Sequence, residues 1–117
     1  MELAEEFRAT NYPGVDPGLF AKALHIPLQD LAKLAGVHRV IVTETPTNAR
    51  LQSFLRDALR ALAAALELTR DRDRTIFWFR NAPIPEFRHR TAEQLVAEGK
   101  SDAIVSYLHS IASGSTG

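Results

Sequence analysis

The sequence of 117 residues contains no cysteine, one methionine and one tryptophan, and its 14 basic side chains are balanced by 14 acidic ones. The absence of cysteine excludes disulfides, thiol catalysis and Cys-based zinc sites. No apolar run approaches the ~20 residues that cross a bilayer, so we expect no membrane partner. The acidic start after Met1 lacks the features of a secretory signal, and a cytoplasmic location is therefore predicted. With 45% hydrophobic residues, the chain is expected to fold as one domain or two small fused ones.

Basic charge is concentrated in the middle of the chain. Residues 51–90 carry eight basic and five acidic side chains, and all eight basic ones are arginine. The arginine side chain is a planar fork that suits carboxylates, phosphates and aromatic faces. Five of these arginines are interpreted as a solvated helix face: Arg56, Arg60, Arg70, Arg72 and Arg74.

Residues 1–50 predict a succession of short helices with a helix-turn-helix arrangement. One helix is predicted over Leu28–Ala35, with Pro27 at its start and Gly36 in the left-handed position at its end. The next helix must stop before Pro46. Two short helices separated by a glycine turn are typical of a helix-turn-helix unit.

The helix after this glycine turn would be a weak recognition helix for DNA. It exposes His38 and Arg39 as cations but also contains Glu44, whereas phosphate neutralisation dominates affinity for DNA. A unit retained as scaffold and a unit that binds DNA therefore stay open as interpretations. If operator DNA is bound, the residues expected to contact its groove or its phosphates are Lys33, His38, Arg39, Thr43, Thr45 and Arg50.

A long central spine helix is predicted over residues 51–74. Apolar residues recur there at three- and four-residue spacing, which produces one broad apolar stripe, and Thr47 or Asn48 stands where a cap is needed. The charged residues 69–74 are interpreted as the solvated end of this helix. Its leucines are interpreted mainly as intramolecular core, with a dimer interface as the alternative.

Residues 75–117 begin with an unusual cluster of aromatic residues, arginines and prolines. Four of the nine aromatic residues lie between Phe77 and Phe87, a composition typical of an interface hot spot. The alternative is that these aromatic side chains pack into the hydrophobic core. We expect a combination of the two, with Trp78 buried and the following loop exposed.

Two helices are predicted after this cluster. Thr91 and Gln94 form a capping-box pair for the first of them. Ser101 is predicted to cap the second. The buried face of the second helix is expected to contain Ile104, Val105, Leu108 and Ile111.

The inventory of chemical groups does not suggest catalysis. The four histidines lie in separate predicted elements, and neither a glycine-rich phosphate loop nor a serine nucleophile elbow occurs. We therefore expect an all-α protein that is not an enzyme, with no catalytic residues, metal or cofactor.

The ordered motifs from Phe77 to Gly114 resemble the C-terminal toxin-binding domain of the Xre/MbcA/ParS-like antitoxins, which pair with RES-domain toxins in bacterial toxin–antitoxin operons. They cover about a third of the chain. Many relatives have Gly-Gly where Arg88 and His89 stand, so that the loop here is bulkier and more basic. The matching elements are Trp78-Phe79-Arg80, Pro83-Ile84-Pro85, Thr91 with Leu95, Ala97-Glu98-Gly99-Lys100, and Ala103 with Tyr107-Leu108, Ile111 and Gly114.

The resemblance implies three regions: an Xre-like helix-turn-helix over 1–50, the spine helix over 51–74 and a small helical toxin-binding domain over 75–117. It implies an antitoxin that blocks the active-site cleft of a RES-domain toxin, itself an enzyme that hydrolyses NAD or transfers ADP-ribose. The residues it assigns to toxin binding are Trp78, Phe79, Arg80, Pro83, Ile84, Pro85, Phe87, Arg88, His89, Arg90, Gly114 and Ser115.

The expected partners are the cognate RES-domain toxin and operator DNA, bound by a homodimer or by a toxin–antitoxin hetero-oligomer. The alternative function is a stand-alone helix-turn-helix transcriptional regulator. In that case the C-terminal half is a dimerisation or effector module.

Overall fold

The structure, a computed structural model, describes residues 3–114, which contain eight α-helices, one short 310 helix and no extended strand. The all-α prediction with a long central helix is therefore confirmed. No helix in this range combines the length and the apolar character needed to cross a bilayer. The helices are α1 Leu3–Glu6, α2 Pro17–Leu24, α3 Leu28–Ala35, α4 Arg39–Glu44, α5 Ala49–Thr69, α6 Arg72–Asn81, the 310 helix Pro85–Phe87, α7 Ala92–Ala97 and α8 Ser101–Ala112.

The chain divides into two units, Met1–Leu59 and Arg60–Gly117. The boundary falls inside α5, so this helix contributes residues to both units. The sequence analysis instead predicted three regions, with the central helix as a separate one over residues 51–74.

Three phenylalanines form the aromatic centre of the N-terminal unit. The ring of Phe20 lies 6.1 Å from that of Phe7 and 6.3 Å from that of Phe54, both edge to face, and all three side chains are buried. Edge-to-face pairs at this spacing add to the free energy of burying aromatic surface. The cluster therefore fixes α2 against the start of the chain and against α5.

A buried glutamine in α5 joins distant parts of this unit. The Oε1 atom of Gln52 accepts from the backbone N–H of Val15 at 2.9 Å, and its Nε2 donates to the carbonyls of Val15 and Pro46, both at 2.8 Å. The amide thus pairs with Val15 as a neighbouring strand would. Gly14 is required beside it, because its φ is +142° and an added Cβ would lie 2.7 Å from the Gln52 Oε1.

Helices α3 and α4 pack against each other across a turn at Gly36, whose φ is 72°. The predicted helix over Leu28–Ala35 and its glycine terminator are confirmed. Helix α4 begins at Arg39, because the Nδ1 of His38 accepts from the backbone N–H of Val40 at 3.2 Å and caps the helix.

The central helix ends at Thr69, and its predicted extension to residue 74 is wrong. Arg70 has a left-handed backbone with a φ of 57°, and a right-handed helix cannot continue through such a residue. The carboxylate of Asp71 then accepts from the N–H of Arg74 at 3.1 Å and caps α6, which begins at Arg72. The charged segment is therefore a break followed by a new helix.

The capping predictions have different outcomes. Asn48 Oδ1 accepts from the α5 backbone at 3.0 Å, and Thr91 and Gln94 form both bonds of the capping box of α7, at 3.1 and 2.9 Å. The predicted Ser101 cap is wrong. Ser101 is the buried first residue of α8, and Lys100, at the cap position, makes no capping bond with its side chain.

The buried face of α8 is shorter than the sequence suggests. Ile104 and Leu108 are buried and Val105 is half-buried, but Ile111 is 41% exposed, so its predicted burial is wrong. The last turn of α8 lies beyond the point where the core of the C-terminal unit ends.

Candidate functional site

The loop of residues 82–91 connects α6 to α7 and is closed by its own backbone. The N–H of Ile84 donates to the carbonyl of Arg90 at 2.9 Å, and the carbonyl of Ile84 accepts from the N–H of His89 at 3.0 Å. The Ile84 side chain is buried, and a proline on either side of it restricts the backbone. The loop is therefore anchored at its base and projects from a fixed point.

The loop tip, Arg88 and His89, has an unusual backbone. The φ of Arg88 is 59° and that of His89 is 64°, so two consecutive residues with a Cβ are left-handed. This conformation costs about 1–2 kcal/mol per residue and persists only where the surroundings impose it. Both side chains are exposed, and neither has a hydrogen-bond or ion-pair partner among residues 3–114.

The neighbouring arginines, by contrast, are held within the fold. Arg80 Nε donates to Glu93 Oε2 at 2.8 Å and joins α6 to α7, and the Glu93 side chain is only 10% exposed. Arg90 forms an ion pair with Glu98, which also lies 3.7 Å from the Lys100 ammonium. Arg80 and Arg90 therefore stabilise this surface, whereas Arg88 presents its charge outward.

Helix α6 places the aromatic residues differently from the prediction. The expected burial of Trp78 is wrong, because Trp78 is half-buried while Phe79 is fully buried and Phe77 is 68% exposed. Thr75 and Phe79 are four residues apart and share the inner face of this helix, whereas Phe77, two residues from each, lies on the outer face. Phe79 is therefore part of the core of the C-terminal unit.

The loop is also tied to α8. The rings of Phe87 and Tyr107 meet edge to face at 5.6 Å, and the Tyr107 hydroxyl donates a hydrogen bond to the Glu86 carboxylate. Partial burial, together with the charge and the hydrogen bond of Glu86, raises the pKa of Tyr107. Two successive loop residues therefore contact one side chain of α8.

Sequence reasoning missed the contributions of Glu93 and Glu86 to this site. Glu93 carried a signal, since it stands among the buried α7 residues Ala92, Leu95 and Val96. A carboxylate at such a position requires a charged or hydrogen-bonding partner. The contact of Glu86 with α8 had no signal in the local sequence.

The residues assigned to toxin binding do not form one exposed set. Phe79 and Ile84 are buried, and Trp78, Arg80 and Phe87 are half-buried. Gly114 is exposed after α8, with a φ of 74°, and Ser115 lies outside the described residues. The assigned residues whose side chains face solvent in the loop are Pro83, Pro85, Arg88, His89 and Arg90.

The six residues expected to contact DNA are all exposed in the N-terminal unit. Three of them already hold local structure: His38 caps α4, Thr43 donates to the Val40 carbonyl at 3.3 Å, and Arg50 donates to the Gly36 carbonyl at 3.3 Å. Acidic residues in the same two helices, one in each, counter the remaining cations. This surface therefore has a weak attraction for phosphates.

Within residues 3–114, no group of three or more His, Asp or Glu side chains is placed to hold a metal ion. In the same range, every buried side-chain nitrogen and oxygen has a hydrogen-bond partner. The exposed loop tip and its aromatic surroundings are thus the most distinctive chemical feature of the described surface.

Comparison with protein-family models, with curated proteins and with solved structures finds no match to this chain. The assignment of a function therefore depends on the geometry described above and on the sequence motifs.

Proposed function

We propose that this protein is the antitoxin of a type II toxin–antitoxin module, which binds a RES-domain toxin through its C-terminal unit and blocks the NAD cleft. One observation carries the proposal. At Arg88 and His89, where many of the antitoxins that the sequence resembles have Gly-Gly, both residues are left-handed. The left-handed region favours glycine, so the backbone at Arg88 and His89 has a conformation that a Gly-Gly pair adopts readily, which supports the resemblance at these two positions.

The other motif elements have structural roles that agree with this proposal. Thr91 caps α7, Leu95 is buried and Gly99 follows α7 with a φ of 80°. Tyr107 contacts the loop, and Leu108 is buried in α8. The motifs therefore correspond to helix ends and core contacts of one unit, which supports the resemblance as more than a chance order of residues.

The exposed residues define the surface proposed to contact the toxin. We include Phe77 of α6 in the proposed contact surface, because it is 68% exposed and large aromatics are typical of binding hot spots. Trp78 and Phe87 contribute through their exposed edges, and Arg88 with His89 provide its polar part. The buried residues assigned from the motif act by supporting these side chains.

The proposal is tested by measuring the affinity of the cognate RES-domain toxin for the wild type and for Phe77→Ala. We expect at least a tenfold loss of affinity in this variant, because the exposed ring would be buried on binding. Val40→Ala is the matched control, since Val40 is 52% exposed but lies in the N-terminal unit. A wild type that does not bind the toxin contradicts the function, and equal affinities of the two variants contradict the assigned surface.

We also propose that α3 and α4 bind operator DNA within a dimer or a toxin-bound complex, which would let the antitoxin regulate its own operon in the cytoplasm. The exposure of all six predicted contact residues supports this second function. Because few cations contribute, the isolated protein should bind weakly. Nanomolar operator binding by an isolated monomer near about 150 mM salt, unaffected by toxin, would favour the stand-alone regulator instead.

A further inference from the structure

We infer that the loop tip is a preorganised carboxylate-binding contact, in which Arg88 and His89 engage an acidic surface of the partner protein and their backbone geometry lowers the stability of the fold. This inference rests on the proposed function, because it takes the toxin as the partner.

The charges around the tip identify the chemistry of the missing partner. Three carboxylates lie near it in sequence, and each has a partner in the fold: Glu86 with the Tyr107 hydroxyl, Glu93 with an α6 arginine and Glu98 with Arg90. Arg88 forms no ion pair with any carboxylate in residues 3–114, although Glu86 stands two positions before it. The carboxylates nearest to the tip in sequence are therefore already engaged, and the exposed Arg88 guanidinium is available to a carboxylate of a partner.

The backbone makes this tip suitable for a specific contact. The closed loop base holds the left-handed Arg88 and His89 in place before any partner arrives. A guanidinium on a fixed backbone can bind a carboxylate through two parallel hydrogen bonds, and less ordering is needed on association. Glycine would relieve the backbone but would remove the side chains that make this contact.

A protein carboxylate fits this tip better than a nucleic acid does. Binding to a phosphate backbone depends on several cations acting together. In the described loop, Arg88 and His89 are the exposed polar side chains without a hydrogen-bond or ion-pair partner, and the same short loop contains Pro83, Pro85 and Phe87. Arginine and aromatic residues are enriched in protein interfaces, and Phe87 is the chain neighbour of Arg88.

The test compares two double variants with the wild type in binding to the cognate RES-domain toxin. Arg88→Gly with His89→Gly relieves the backbone and removes the cation, whereas Arg88→Asn with His89→Asn removes the cation with residues that tolerate a left-handed backbone. Both should bind the toxin at least tenfold more weakly, with a smaller dependence on salt. The glycine variant should also melt about 5 °C higher, because its backbone strain is removed.

The matched control is Arg70→Gly, since Arg70 is also an exposed arginine with a left-handed backbone, at a φ of 57°, in the same unit. Like the glycine double variant, Arg70→Gly should raise the melting temperature, but it should leave toxin affinity unchanged. If both double variants keep wild-type affinity and salt dependence, the inference is overturned while toxin binding itself stands. If the wild type fails to bind toxin, the proposed function fails first. Loss of binding to a DNA duplex in the double variants would assign the tip to phosphate and would also overturn the inference.

Discussion

The two units use their polar side chains in different ways. In the N-terminal unit, Gln52, Arg50 and His38 all bond to the backbone and hold the local structure in place. In the C-terminal unit, the ion pair of Arg80 with Glu93 fixes the helices, while the loop tip remains strained and unpaired. The contrast is that these polar side chains of the N-terminal unit bond to its own backbone, whereas the tip side chains of the C-terminal loop have no partner in residues 3–114, which is why we propose the loop as the toxin contact.

The largest expected effect comes from breaking the partly buried ion pair between Arg80 and Glu93 in the C-terminal unit. Arg80→Met removes a charged hydrogen bond from the nearly buried Glu93 carboxylate and should destabilise the unit by about 2–3 kcal/mol. Denaturant unfolding measures the loss. Arg60→Met is the control, since the Arg60–Asp102 pair is solvent-exposed and should contribute less than about 1 kcal/mol. Equal losses in the two variants would remove the special role of the partly buried pair.

A smaller effect is expected from the glutamine that closes the N-terminal unit. Gln52→Ala leaves the Val15 backbone without the two bonds it makes to this side chain, and we expect a loss of about 2 kcal/mol in the free energy of unfolding. Toxin affinity should be unchanged, because this side chain lies in the other unit. Ser53→Ala, at an exposed position beside it, is the control. Weakened toxin binding in the folded Gln52 variant would contradict the separate roles of the two units.

The smallest expected effect concerns the tyrosine that contacts the loop. Because the pKa of Tyr107 is raised in the folded state, its contribution to stability is present below about pH 10 and is lost as the pH rises through the raised value. Tyr107→Phe keeps the ring against Phe87 and should cost less than about 1 kcal/mol at neutral pH. Unfolding measured from pH 8 to 11 should show a smaller alkaline loss in the variant. An identical loss in both proteins would show that Tyr107 does not contribute to it.

Local signals account for the part of the fold that the sequence predicted. Gly36, Asn48 and the Thr91–Gln94 pair act through their own or adjacent backbone, so their roles are visible in a short stretch of sequence. The end of α5 was missed because Arg70 adopts a left-handed backbone that its residue type does not announce. The buried face of α6 was missed because it depends on packing against α7, which the local sequence does not reveal.

The candidate site was predictable in composition but not in geometry. The cluster of arginines, aromatics and prolines identified the loop, but whether each arginine points outward depends on distant carboxylates such as Glu93 and Glu98. The left-handed backbone of Arg88 and His89 depends on the closed loop base. The ion pairs join residues of different elements and the backbone bonds close one loop, and neither follows from residue types alone.

The central claim is tested most directly by the rate of NAD consumption by the cognate RES-domain toxin during titration with this protein. If the C-terminal unit blocks the toxin's cleft, the rate should fall in proportion to added protein and reach its minimum at a fixed stoichiometric ratio. An unchanged rate of NAD consumption at saturating protein, with the two proteins shown to be folded, would contradict the account.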